Sequence, residues 1–106
     1  MDPMSISDEL GYRARAIAAA RRAVDALAAL EVAALVTGSL ARGNFGSHSD
    51  IDLLVTSCPR PLKYAIEGMV EDVLDGIPFD LVYLDEIPAW RVASFTAGAV
   101  DARDLG

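Results

Sequence analysis

The sequence predicts an α/β fold, a small mixed sheet with helices in the order helix-strand-strand-helix-strand-helix, and three observations predict it. Short apolar runs with strand character, bounded by Gly, Ser or Pro, lie at 32–37, 50–56 and 78–84. Two longer stretches, 8–30 and 61–75, carry apolar residues at helical spacing. The composition is 53% hydrophobic and only 7% aromatic, and the excess is alanine, which suits an Ala-rich helical layer on a small sheet. A chain of 106 residues is expected to form one domain over 1–106 with an ordered core at about 8–98. At that size it buries about two thirds of its unfolded surface, enough for one modest core.

Residues 1–7, with Pro3, read as a loose start. The first helix, 8–30, places Leu10, Ile17, Val24 and Leu27 on one narrow stripe and Arg13, Arg15, Arg21 and Arg22 largely off it. Ser7 or Asp8 would cap it, and Gly11 weakens its first turn. The run 32–37 is bounded by Gly38 and reads as a strand covered on both faces. The second strand, 50–56, ends on Ser57-Cys58-Pro59. A second helix starts near Pro61, where proline fits a first turn, and carries Leu62, Ile66, Met69 and Val73 to a stop at Gly76. In the third strand Phe79, Leu81 and Tyr83 alternate with Asp80, Val82 and Leu84. Asp85 would cap a last short helix carrying Ile87, Trp90 and Phe95 and closing near Gly98, after which the tail to Gly106 is polar and shows no pattern.

Residues 37–55 carry the chemistry. Asp50 and Asp52 stand at i and i+2 in a strand whose Ile51, Leu53 and Val55 also alternate, so both carboxylates face away from the apolar set. Their Cα atoms would lie roughly 6.6 to 6.8 Å apart, within reach of shared magnesium ions. Gly38 and Ser39 follow directly on an apolar strand. If the chain turns there into a short helix, their backbone N–H groups and the Ser39 hydroxyl form an anion cradle, and Arg42 one turn on adds a positive charge over a phosphate. Each feature alone also fits a plainer role: a solvated strand face for the acids, an ordinary turn for Gly38-Ser39, a surface or loop-packing residue for Arg42.

Gly38-Ser39, ten residues, then Asp50-Ile51-Asp52 resembles the signature of the DNA polymerase β-like nucleotidyltransferase superfamily. The fuller string Gly-Ser-Leu-Ala-Arg-Gly with Ser-Asp-Ile-Asp-Leu, in so short a chain, resembles its minimal nucleotidyltransferase branch, the MNT-domain proteins. The resemblance implies a polymerase β-like core. It implies that Asp50 and Asp52 are catalytic metal ligands and that Gly38 and Ser39, with Arg42, bind the nucleotide phosphates. It further implies that two Mg²⁺ ions assist attack of an acceptor hydroxyl on the α-phosphorus of ATP. Asp80, an acid in an otherwise apolar strand, would be the third metal ligand and help take the acceptor's proton if its strand lies beside the second; an edge-strand acid is the alternative. Members of the branch often carry a basic residue in the loop before Ser-Asp-x-Asp, where this chain has Asn44-Phe45-Gly46-Ser47-His48.

His48, with no second ligand at metal spacing, reads as solvent-exposed. Cys58 reads as inert, and Trp90 and Phe95 as core or partner contacts. A net charge of -7 argues against direct nucleic acid binding, which needs clustered Lys and Arg, and leaves acid for a basic protein partner. A single cysteine, no signal-like apolar core and no run of eighteen apolar residues lead us to expect a soluble, cytoplasmic chain that does not enter a membrane.

Larger relatives, which modify aminoglycosides or add tRNA ends, have further domains for their acceptors. Here the acceptor is expected from a partner. The resemblance implies an antitoxin that transfers AMP to a tyrosine hydroxyl of a HEPN-domain ribonuclease toxin. Two alternatives stand beside it: a non-catalytic antitoxin that neutralises by binding, and a nucleotidyltransferase acting on a small molecule such as an aminoglycoside.

Overall fold

The computed structural model describes the backbone of residues 6–106 and the side chains of residues 10–106. Its elements are α1 (Ile6–Ala28), β1 (Ala33–Thr37), α2 (Gly38–Arg42), β2 (Ile51–Ser57), α3 (Ile66–Leu74), β3 (Phe79–Tyr83) and α4 (Ala89–Ala97). The expected order holds, with the short α2 inserted between the first two strands. α1 begins at Ile6, so residues 6 and 7, expected in the loose start, are already helical; the rest of that start, residues 1–5, lies outside the described residues, and a cap from Ser7 or Asp8 outside the described side chains.

The three strands form one mixed sheet in the order β1-β2-β3. β1 runs antiparallel to β2 and pairs Thr37 with Asp52; β2 runs parallel to β3 and pairs Asp52 with Asp80. The parallel pair follows from the chain between them, since parallel neighbours need a crossover and α3 supplies it. One face of the sheet makes the core. Ile51, Leu53 and Val55 of β2 are buried there with Leu27 of α1 and with Ile66, Val70 and Leu74 of α3.

Alternation along β2 sends the rest to the other face. Asp52 is half-buried there, and Leu54 is sealed from solvent although it lies outside the main core cluster.

Several expectations need correction. The expected α1 stripe holds at Ile17 and Leu27, both buried, and at Val24, partly buried against the core, but fails at Leu10, which is 61% exposed; Ala16, Ala19, Ala20 and Ala23 fill the rest of the buried face. Small side chains let α1 approach the sheet closely, and Leu10 lies outside that approach. β1 is covered on one face only, with Ala34 and Val36 buried and Ala33 exposed, because it sits at the sheet edge and its other side belongs to the open, acid-bearing face.

The expected single helix over 61–75 is broken. A 3-10 turn at Arg60–Leu62 leads into Tyr64, whose φ is +67°, before α3 begins. Gly76, at φ +90°, shares the stop with Asp75, itself at φ +48°. Asp85 caps nothing; it lies in a 3-10 turn at Leu84–Glu86 and accepts a hydrogen bond from Lys63 Nζ at 3.0 Å. α4 starts after Pro88 without a side-chain cap and closes at Gly98 as expected.

The tail is part of the structure. Val100 pairs with Val36, each N–H donating to the other's carbonyl at 2.8 Å, so the chain adds a rung outside β1. Ala102 and Leu105 are buried, and Arg21 donates to the Ala102 carbonyl at 3.0 Å and to the Leu105 carbonyl. Because β3 is at one edge of the sheet and Val100 lies outside the other, α4 must cross from edge to edge. Among the described residues no helix is long and apolar enough to cross a membrane.

Candidate active site

A cleft of about 450 Å³ opens where the strand ends that carry the acids meet α4. Its floor is set by register. Thr37 ends β1, Asp52 is its partner on β2, and Asp80 is the partner of Asp52 on β3, so the three side by side cross the sheet. All three line the cleft, as do Gly38 and Arg42 at the two ends of α2.

Gly38 leaves no room for a side chain. Its φ is +70°, in the left-handed region that favours glycine, and a Cβ there would overlap the Asp52 carboxylate. Only glycine lets this carboxylate lie against the backbone as α2 begins. The turn is closed on its far side by Gly43, at φ +85°, and the loop that follows is pinned by Phe45, buried with its ring centroid 5.3 Å from that of Tyr12. That anchoring fixes how the chain returns into β2.

Electrostatics single out Asp52. Its carboxyl is held above the usual carboxylate range, first by burial, then by the negative charges of Asp80 and Asp50, while Arg42 offsets part of this. Two acids facing one another across paired strands, one of them partly desolvated, create a local demand for a cation. Carboxylate oxygens are hard donors, and Mg²⁺ is commonly held by one or two carboxylates together with substrate phosphates. The donor set and the glycine cradle therefore fit a metal-bound nucleotide.

The sequence-derived residues do not all converge. Gly38, Arg42, Asp52 and Asp80 line the cleft, whereas Asp50 is exposed one residue ahead of β2 and Ser39 is half-buried; neither lines it. Among the described residues no three potential ligands are gathered as a metal cluster. Asp50 acts on the site through its charge on Asp52. His48 is exposed, as expected. Cys58 is half-buried with its Sγ 3.4 Å from the Pro59 carbonyl.

Six cleft residues were not assigned to the site from sequence; two of them, Leu81 and Val82, follow Asp80 along β3. Thr37 reads in sequence merely as the last residue of a strand. Arg91, Ser94 and Phe95 line the cleft from α4. Their spacing of i, i+3 and i+4 places them on one helical face, the signal that could have found them. Trp90 on the same helix is 82% exposed, so it is no core residue.

With this geometry in place, comparison with known families is informative. A family model described as a nucleotidyltransferase domain matches residues 17–100, which span every residue of the cleft. Among curated proteins nothing matches the chain.

Proposed function

The chain belongs to the nucleotidyltransferase domain family and is a nucleotidyl-transferring enzyme of that kind; from this premise we propose that it transfers AMP from Mg-ATP to a tyrosine hydroxyl of a partner protein. The observation that carries the reading is the direct pairing of Asp52 with Asp80, beside a glycine whose missing Cβ makes room for the Asp52 carboxylate. Asp52 and Asp80 would hold the magnesium, with Asp50 adding charge from just outside the cleft. The metal, when bound, neutralises the triphosphate and stabilises the charge that develops on the leaving pyrophosphate.

The protein's own groups do the rest. The backbone at Gly38 and the guanidinium of Arg42 hold phosphate oxygens, which orients the α-phosphorus toward the acceptor. Asp80, exposed at the edge strand, would receive the acceptor's proton. The acceptor oxygen then bonds to the α-phosphorus, the bond to the β-phosphate bridging oxygen breaks, and pyrophosphate leaves.

A protein acceptor is supported by chemistry: a docked protein would present a hydroxyl at the cleft and exclude water from it. With a net charge of -7, a basic partner is favoured. The motif's likeness to MNT-domain proteins supports a HEPN-domain ribonuclease as that partner and an antitoxin role for this chain in the cytoplasm. The test is co-expression with the partner, followed by intact-mass measurement. The partner is expected to gain the mass of AMP on one tyrosine and lose ribonuclease activity, and Asp52→Asn is expected to abolish both changes.

One observation favours a second reading, neutralisation by binding alone. Ser39 and Asp50 stand outside the cleft lining, which leaves fewer ligands around the phosphates than the full motif would provide. That reading predicts that Asp52→Asn still neutralises the partner without any mass change. A labelled small product in place of labelled protein would instead mark a small-molecule acceptor.

A further inference from the structure

The cleft contains more positive charge than the sequence motif accounts for. Arg42 comes with the motif; Arg91 arrives from α4. Among the described residues the ion pairs join Lys63 to Asp85 and Glu86, and Arg103 to Asp101. Arg91 pairs with neither Asp52 nor Asp80, although all three line the same cleft.

What holds Arg91 is aromatic. Its guanidinium carbon lies 5.0 Å from the Phe95 ring centroid and 5.7 Å from that of Trp90. Held beside aromatic rings rather than a carboxylate, the guanidinium keeps its N–H groups available, and their fork is shaped for two oxygens of a phosphate. An arginine held by neighbouring rings is also pre-oriented, so less side-chain freedom is lost when it meets a ligand.

We propose that Arg91 is a second phosphate-binding cation for the donor nucleotide, delivered by α4 and oriented by Phe95. The proposal rests on the nucleotidyl-transfer reading for the identity of its ligand. A role in ion pairing within the protein is opposed by the absence of a carboxylate partner among the described residues. A role in the core is opposed by α4 itself, which has no buried residue. That same looseness makes Arg91 a clean position to substitute, because no core packing depends on it.

The test is calorimetric titration of the purified chain with adenosine, with ATP, and with ATP plus Mg²⁺, using wild type, Arg91→Ala, Arg91→Lys and Trp90→Ala, each checked for an unchanged thermal midpoint. Arg91→Ala is expected to weaken ATP binding roughly ten- to a hundredfold, the loss of one bidentate charge-assisted contact, while adenosine binding stays as in wild type. Arg91→Lys should fall between, since a point charge replaces the fork. Trp90→Ala should weaken ATP binding less than Arg91→Ala does, since the nearer Phe95 ring still holds the guanidinium.

Equal weakening of adenosine and ATP in Arg91→Ala would overturn the proposal and make Arg91 a wall of the base pocket. Unchanged ATP affinity in that variant would overturn it as well. A wild type that binds ATP with this dependence on Arg91 yet transfers no nucleotide upholds the proposal and removes the transfer reading. A wild type that binds no ATP removes both.

Discussion

At Gly38 two constraints fall on the same atom, because the left-handed backbone and the Asp52 carboxylate each exclude a side chain. Gly38→Ala is therefore expected to lose about 1–2 kcal/mol from backbone strain alone, with a further loss as Asp52 is pushed aside. Urea unfolding measures the first effect, and calorimetric loss of Mg-ATP binding the second. Asp52 governs the pH response. Its carboxyl is held above the ordinary range in the folded chain, so the folded state binds this proton more tightly than the unfolded one. Its contribution to stability is thus fullest below the ordinary carboxylate value and declines as pH rises through the raised folded value. In the metal-free protein at neutral pH, Asp52→Asn is expected to raise the melting temperature, and adding Mg²⁺ should raise that of wild type more than that of the variant. Melting curves across acid and neutral pH, with and without Mg²⁺, check both signs. The two acids were legible because strand alternation separates them from Ile51, Leu53 and Val55; that Asp50 falls one residue short of β2 was not, because a strand boundary leaves no mark in a period of two.

Among the elements, α1 shows a buried face read correctly but too narrowly. Ile17 and Leu27 of the stripe are buried and Val24 packs against the core, while Leu10 is exposed and the alanines at 16, 19, 20 and 23, almost wholly buried, widen the contact. Alanine carries little hydrophobic signal but permits close approach. Ala23→Leu is accordingly expected to destabilise the fold by about 1–3 kcal/mol through overpacking, measured by urea or thermal unfolding. The helix over 61–75 was misread for another reason. Apolar spacing continues through Leu62, Ile66, Met69 and Val73 while the backbone breaks at Tyr64. The break is held by a hydrogen bond from the Tyr64 N–H to the Tyr83 hydroxyl at 3.0 Å and by the Tyr64 hydroxyl with Glu86. Removing one neutral bond, as in Tyr83→Phe, is expected to cost about 1 kcal/mol, seen as a lower denaturation midpoint at unchanged slope.

At the scale of the whole molecule, function depends on the path by which distant segments meet. The Gly-Ser turn and the Asp-Ile-Asp strand were legible because each sits against an apolar run that must be a strand, and Asp80 was legible as a solitary acid in a third such run. Their convergence on Asp52 follows from the parallel pairing of β2 with β3. The contribution of α4 was not legible. A helix with no buried residue has a weak apolar stripe, and its position over the acid-bearing face depends on Val100 reaching β1, a contact that no local pattern in the polar tail announces. The net charge of -7 belongs to this scale too, since it bears on which surfaces the whole molecule can approach.

The most direct measurement is transfer of label from ATP carrying it at either the α or the γ phosphate, with Mg²⁺ and the partner protein present, in wild type beside Asp52→Asn and Asp80→Asn. The account predicts that only the α label becomes bound to the acceptor, that the γ label leaves in pyrophosphate, and that both substitutions lower the rate at least about a hundredfold. Transfer of the γ label, or transfer by Asp52→Asn at the wild-type rate, would contradict it.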